Sequence, residues 1–71
     1  MDRMRIHGEV VRLEPERGFG FLRDEGNGDW FFVASGVREG ETLRVGAHVT
    51  FEYEATFQGP CATDITIEPI A

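Results

Sequence analysis

Arg17-Gly18-Phe19-Gly20-Phe21-Leu22 is the stretch that decides how this chain is read. Two phenylalanines, each preceded by glycine, recur at a spacing of two. In a β-strand that spacing sets Phe19 and Phe21 on the same face. A second aromatic run, Trp30-Phe31-Phe32, follows after a segment rich in Gly and Asp. Large rings paired on one sheet face, with a cation at the edge, are either half of a core or a platform on which unpaired bases stack.

Working outward, four more apolar segments join this one, separated by turn residues. Residues 6–13 hold Val10 and Leu13, whose odd spacing predicts a bulge if both point inward. Pro15 falls in the next turn, where its missing N–H does least harm. After residues 19–23, Asp24-Glu25-Gly26-Asn27-Gly28-Asp29 reads as a hairpin loop with Asn-Gly as its turn signal. Residues 30–33 form the third segment, and an irregular connection over 34–45 follows. Val49-Thr50-Phe51-Glu52-Tyr53-Glu54 alternates apolar and polar, as a half-buried strand does. Gln58-Gly59-Pro60 reads as a break, and Thr63-Asp64-Ile65-Thr66-Ile67-Glu68 alternates again up to Pro69. No segment supports a long amphipathic helix, and no internal repeat or linker is present. The expectation is an all-β chain: a five-stranded antiparallel barrel of OB-fold type, whose closure removes exposed edges. One domain spans residues 1–71, with its core at about 6–68.

Composition narrows the function. A chain of 71 residues buries only about 60% of its unfolded surface, so its stability margin is small. The net charge of −6 weighs against a nucleic-acid ligand, but its distribution matters more than its sum. All seven basic residues (Arg3, Arg5, Arg12, Arg17, Arg23, Arg38, Arg44) lie in the first 44 positions with nine acids. Glu52, Glu54, Asp64 and Glu68 are unopposed after them. A local basic stripe beside the rings therefore remains open. Lysine is absent. That is either a compositional bias of the source genome or a use of arginine's ability to stack and to fork onto phosphate.

Several chemistries are excluded. Cys61 is the single cysteine, with no cluster around it for zinc and no partner for a disulfide within the chain; it reads as a small semi-buried residue. Gly18-Phe19-Gly20 starts a dinucleotide fingerprint that has Arg23 where its last glycine belongs. The Asp24 to Asp29 loop lacks alternating calcium ligands. His7 and His48 stand alone. No catalytic residue, cofactor or metal is expected, and the chain does not read as an enzyme. With no apolar h-region in residues 1–7 and no membrane-spanning run, the expected setting is the cytoplasm, and a monomer is the default.

The segment order together with the Arg17–Leu22 motif resembles the bacterial cold-shock domain, an OB-type barrel whose second and third strands carry ribonucleoprotein-like motifs. The resemblance covers residues 6–67. The family's Lys-Gly-Phe-Gly-Phe-Ile stands here as Arg17-Gly18-Phe19-Gly20-Phe21-Leu22. Its Asp-Val-Phe-Val-His-Phe-Ser stands as Asp29-Trp30-Phe31-Phe32-Val33-Ala34-Ser35. Gly8-Glu9-Val10 matches its opening Gly-x-Val, and Gly59-Pro60 its late Gly-Pro. The departures are specific. Arg12 stands where a base-stacking tryptophan is usual, Val33 and Ala34 where a histidine and a phenylalanine are, and Glu9 where a lysine is. No aromatic residue appears around residues 39–43, where the family has one.

The resemblance implies single-stranded RNA or DNA as partner and a role as RNA chaperone or regulator of transcription or translation. Strand alternation turns Phe19, Phe21, Phe31 and Val33 outward and leaves Trp30 and Phe32 in the barrel. The candidate binding residues are thus Phe19, Phe21, Phe31, Arg17, Arg12 and Val33. Either arginine has an alternative partner in Glu14 or Glu16. With part of the usual platform replaced, binding is expected to be weak. The competing reading is a cold-shock barrel that has lost its base contacts and binds a protein.

Overall fold

The computed structural model describes residues 5–57 and 59–68. Gln58, Pro69 and residues 1–4, on which parts of the sequence reading fall, lie outside them. Five strands close into a barrel: β1 (Ile6–Glu14), β2 (Phe19–Asp24), β3 (Asp29–Val33), β4 (His48–Thr56) and β5 (Gly59–Ile67), in the order β1-β2-β3-β5-β4. A 3-10 turn, Ala34–Gly36, opens the long connection after β3.

The expectation of a wholly antiparallel barrel is corrected at one seam. β3 and β5 run parallel, meeting at Phe31 and Cys61, and Val37 and Ile65 extend the seam in the same sense. Parity requires it. If each of the other four pairings reverses direction, five strands in a ring must contain one parallel contact.

The bulge in β1 falls where Val10 and Leu13 need it. Val10 opposes Leu22, but Arg12 opposes Phe21, so Val11 is the extra residue. The backbone of Val10 turns instead to the β3–β4 connection, its N–H donating to Ala47 O at 3.0 Å and its carbonyl accepting from Gly46 N at 2.8 Å. Val10 is thereby fully buried, and Leu13 packs on the core from one residue further on than strict alternation allows. Leu22, Phe32, Val49, Phe51, Ala62 and Ile65 complete the buried hydrophobic core among the described residues.

Trp30 packs against the core, as expected of it, but is only partly buried. It is half-buried at the barrel's end, with its ring edge-on to Phe51 and Tyr53 at 5.4 and 5.6 Å between centroids. An indole N–H in an apolar core would lack a partner. Here it donates to Asp24 Oδ2 at 2.7 Å. The other oxygen of Asp24 accepts from the backbone N–H groups of Gly26 and Gly28, both at 2.8 Å. One carboxylate thus closes the β2–β3 hairpin, whose tip places Asn27 at φ 66°, a left-handed conformation asparagine tolerates. These bonds, that of Trp30 foremost, hold the Asp24 carboxyl below the usual carboxylate range.

The fifth strand starts earlier than the alternation suggested. Gly59 and Pro60 belong to it, opposite Thr56 and Ala55, and a proline at a strand's beginning costs the ladder little. Further along, β5 carries one extra residue against β4 between the Thr50–Thr66 and Glu52–Thr63 pairs. Asp64 takes the left-handed conformation there, at φ 50°. Its carboxylate is gripped by Arg38 (2.7 and 3.1 Å) and by Arg5 (2.9 Å). Arg5 also donates to Thr50 Oγ1 at 2.9 Å and to the Asp64 carbonyl. The two arginines, Arg38 first, hold the Asp64 carboxyl well below its ordinary value. This clasp fastens the start of β1 and the β3–β4 connection to β5.

Candidate nucleic-acid interface

The local sequence explains how the rings come to face outward. Gly18 ends the β1–β2 turn at φ +75°, a conformation costly for other residues. Its carbonyl accepts from Ala34 N at 2.8 Å, tying the turn to the end of β3. Gly20 is buried, and a Cβ there would stand 2.6 Å from both the Arg12 carbonyl oxygen and the Phe32 ring. The gap it leaves admits Phe32 to the core beneath β2. Gly20 and Leu22 take the inner face of β2, and Phe19 and Phe21 take the outer one.

Residues opposite one another on paired strands project from the same face, so the register defines two rows across the barrel. One runs Arg12, Phe21, Phe31, Cys61, Glu54, over all five strands; the other runs Glu14, Phe19, Val33. The structure brings Phe19, Phe21 and Phe31 into one half-buried cluster. Centroids are 6.1 Å apart for Phe19–Phe21 and 5.7 Å for each of them to Phe31, within the range of favourable ring pairs. The rings therefore brace one another while part of each stays in solvent. Val33 lies beside Phe19, 45% exposed.

The two candidate arginines differ. Arg12 sits next to Phe21 but is engaged, its Nε and Nη2 each 2.9 Å from Glu14 Oε2. Arg17 is exposed in the β1–β2 turn and pairs with no carboxylate among the described residues. Arg23 is paired with Asp29 at 3.1 Å, and Arg5 and Arg38 belong to the clasp. The basic groups without a carboxylate partner among the described residues are thus Arg17 and Arg44, the latter exposed in the β3–β4 connection, with Arg12 shared.

Hollows adjoin the ring cluster at both ends. One, of about 310 Å³, lies by Phe19 under the β3–β4 connection, with Leu13, Ala34, Thr42 and Leu43 in its walls. The other, of about 540 Å³, lies beyond Phe31 over β5, bordered by Val33, Cys61, Thr63, Thr56 and Phe57. The sequence reading passed over Phe57, which is 98% exposed in the β4–β5 turn. The signal was available: a large ring in a hairpin turn has no inner face to enter.

A small closed barrel with an aromatic outer face on its second and third strands defines an OB-type binding fold, and comparison with known proteins names the family. The chain is similar to a cold shock protein of Arthrobacter globiformis, with 38% identity over 63 residues, 84% of this chain and 94% of that one. Among solved structures, Drosophila Unr (CSD456) superposes with a TM-score of 0.77 at 26% identity over 94% of this chain. This chain spans 28% of the length of that one. No protein-family model matches. The chain belongs to the cold-shock protein family.

Proposed function

We propose that this protein binds single-stranded nucleic acid by stacking successive bases on Phe19, Phe21 and Phe31. Arg17 meets phosphate beside them, Arg12 divides its charge between phosphate and Glu14, and Val33 makes apolar contact at the edge. The observation that carries this reading is the mutual contact of the three rings on the outer face of β2 and β3. Small monomers seldom leave such a contiguous apolar patch unused. Each stacked base contributes roughly 1–3 kcal/mol, so three rings hold a short strand, and few free cations keep the complex weak. Weak, sequence-tolerant binding suits an RNA chaperone or a regulator of transcription or translation, because such a complex loosens hairpins without trapping them. One copy carries the whole ring face, so a monomer suffices for this reading.

Fluorescence anisotropy with labelled heptathymidine and heptauridine tests the reading. Binding that falls about 5- to 150-fold in Phe21→Ala, the range expected for one lost stack, supports it; equal affinity for both proteins contradicts it. The pairing of Arg12 with Glu14 favours a second reading, in which the same patch meets a protein with a basic rim. Capture of a partner that survives nuclease treatment but not Phe21→Ala would select that alternative.

A further inference from the structure

Phe57 is the most exposed of the large apolar side chains described, at 98%, and it borders the 540 Å³ hollow that begins at Phe31. That volume is typical of small-ligand sites. The strand order explains the shape. β5 lies between β3 and β4, and its outward residues here, Cys61 and Thr63, are small. The aromatic ring of Phe31 stands on one side of this low strip, and on the other β4 continues through Thr56 into the turn bearing Phe57. The hollow is therefore continuous with the ring cluster, along the same row that carries Phe21 and Phe31 to Cys61 and Glu54.

Its chemistry selects a base over a phosphate. Thr63, Ser35 and Glu54 on its walls can hydrogen-bond the polar edge of a base. Asp64 is neutralised by Arg5 and Arg38, whereas the Glu54 carboxylate has no ion-pair partner among the described residues and repels a phosphate. A nucleotide entering here does so base first, with its backbone toward solvent.

We propose that Phe57 is a fourth stacking ring, which closes over a nucleobase in the hollow beyond Phe31 and lengthens the binding site by one nucleotide. This rests on the reading of the three-ring face as a single-strand platform. The ring of Phe57 is almost wholly in solvent, so its removal leaves the barrel intact and Phe57→Ala melts as the parent does.

The experiment measures affinity for a series from trithymidine to heptathymidine with the parent chain, Phe57→Ala and Phe21→Ala. The expected result is a loss of about five- to tenfold in Phe57→Ala for the longest strands, the lower end of the range for one stacked base. The expected length dependence levels off one nucleotide earlier than in the parent. A second variant, Phe57→Trp, retains affinity, and its added fluorescence changes on titration. Affinity within twofold of the parent at every length, with Phe21→Ala still impaired, overturns the role of Phe57 and leaves the platform standing. No binding by the parent at any length overturns the platform itself. Unchanged oligonucleotide affinity together with a concentration-dependent self-association lost in Phe57→Ala assigns the ring to contact between copies, and also overturns the proposal.

Discussion

At the scale of single residues, glycine and aspartate set the terms on which the rings are displayed. Gly20 is the point where β1 backbone and the Phe32 ring converge, each 2.6 Å from where a Cβ would lie. Gly20→Ala should destabilise the barrel by about 1–3 kcal/mol, as overpacking of a filled core does, with a lower midpoint in urea. Asp24 and Asp64 act in the other direction. Both have carboxyls held below their unfolded value of about 3.9 by hydrogen bonds to Trp30 and to Arg38 respectively. A depressed pKa contributes stability that is complete above the unfolded value and is lost as pH falls toward the folded one. Thermal melts should therefore show Asp64→Asn below the parent at pH 7, with the gap narrowing below about pH 4. A gap that stays constant down to pH 2 would contradict the clasp. Val33→His places a ring beside Phe19 without disturbing Arg12, and should tighten heptathymidine binding. Arg12→Trp adds a ring next to Phe21 but also frees the Glu14 carboxylate to repel phosphate, so the histidine variant is the cleaner test.

At the scale of strands, most of the aromatic face was legible because alternation with a period of two is unambiguous where both faces carry large residues. Phe19, Phe21, Phe31 and Phe32 took the faces that the pattern assigned, and the Val10–Leu13 spacing located the bulge. What was not legible depends on neighbours distant in sequence. The reach of Trp30 to Asp24 draws the indole to the barrel's end, and no alternation pattern records a side-chain hydrogen bond. Gly59 and Pro60 carry turn chemistry, and only pairing with Thr56 and Ala55 makes them strand. The parallel seam is a property of the count of strands and not of any segment. The choice between Glu14 and Glu16 as partner for Arg12 turned on where the first strand ends: Glu14 is its last residue and shares a face with Arg12, whereas Glu16 lies in the turn beyond it.

At the scale of the whole molecule, the proposed function asks an acidic protein to meet a polyanion with few free charges. Four of the described arginines, Arg5, Arg12, Arg23 and Arg38, are engaged by carboxylates, which leaves Arg17, Arg44 in the β3–β4 connection and a share of Arg12. Salt dependence should accordingly be shallow. At about 0.7 log unit in affinity per log unit of salt for each phosphate neutralised, one to three contacts give a slope of about −0.7 to −2.1. A slope steeper than about −3 would require some four phosphate contacts, and so a binding surface elsewhere on the protein. A shallow slope would mean that stacking, which salt screens little, carries the affinity, as the proposed function requires.

An NMR titration of the isotope-labelled chain with heptathymidine at low salt localises the ligand. Amide shifts concentrated in Phe19–Asp24 and Asp29–Val33, with Trp30 Nε1–H little moved because it is bonded to Asp24 on the opposite face, would be the signature of bases stacked on the three rings. No shifts at millimolar heptathymidine, or shifts confined to the arginine–Asp64 clasp, would show that the aromatic face does not bind nucleic acid.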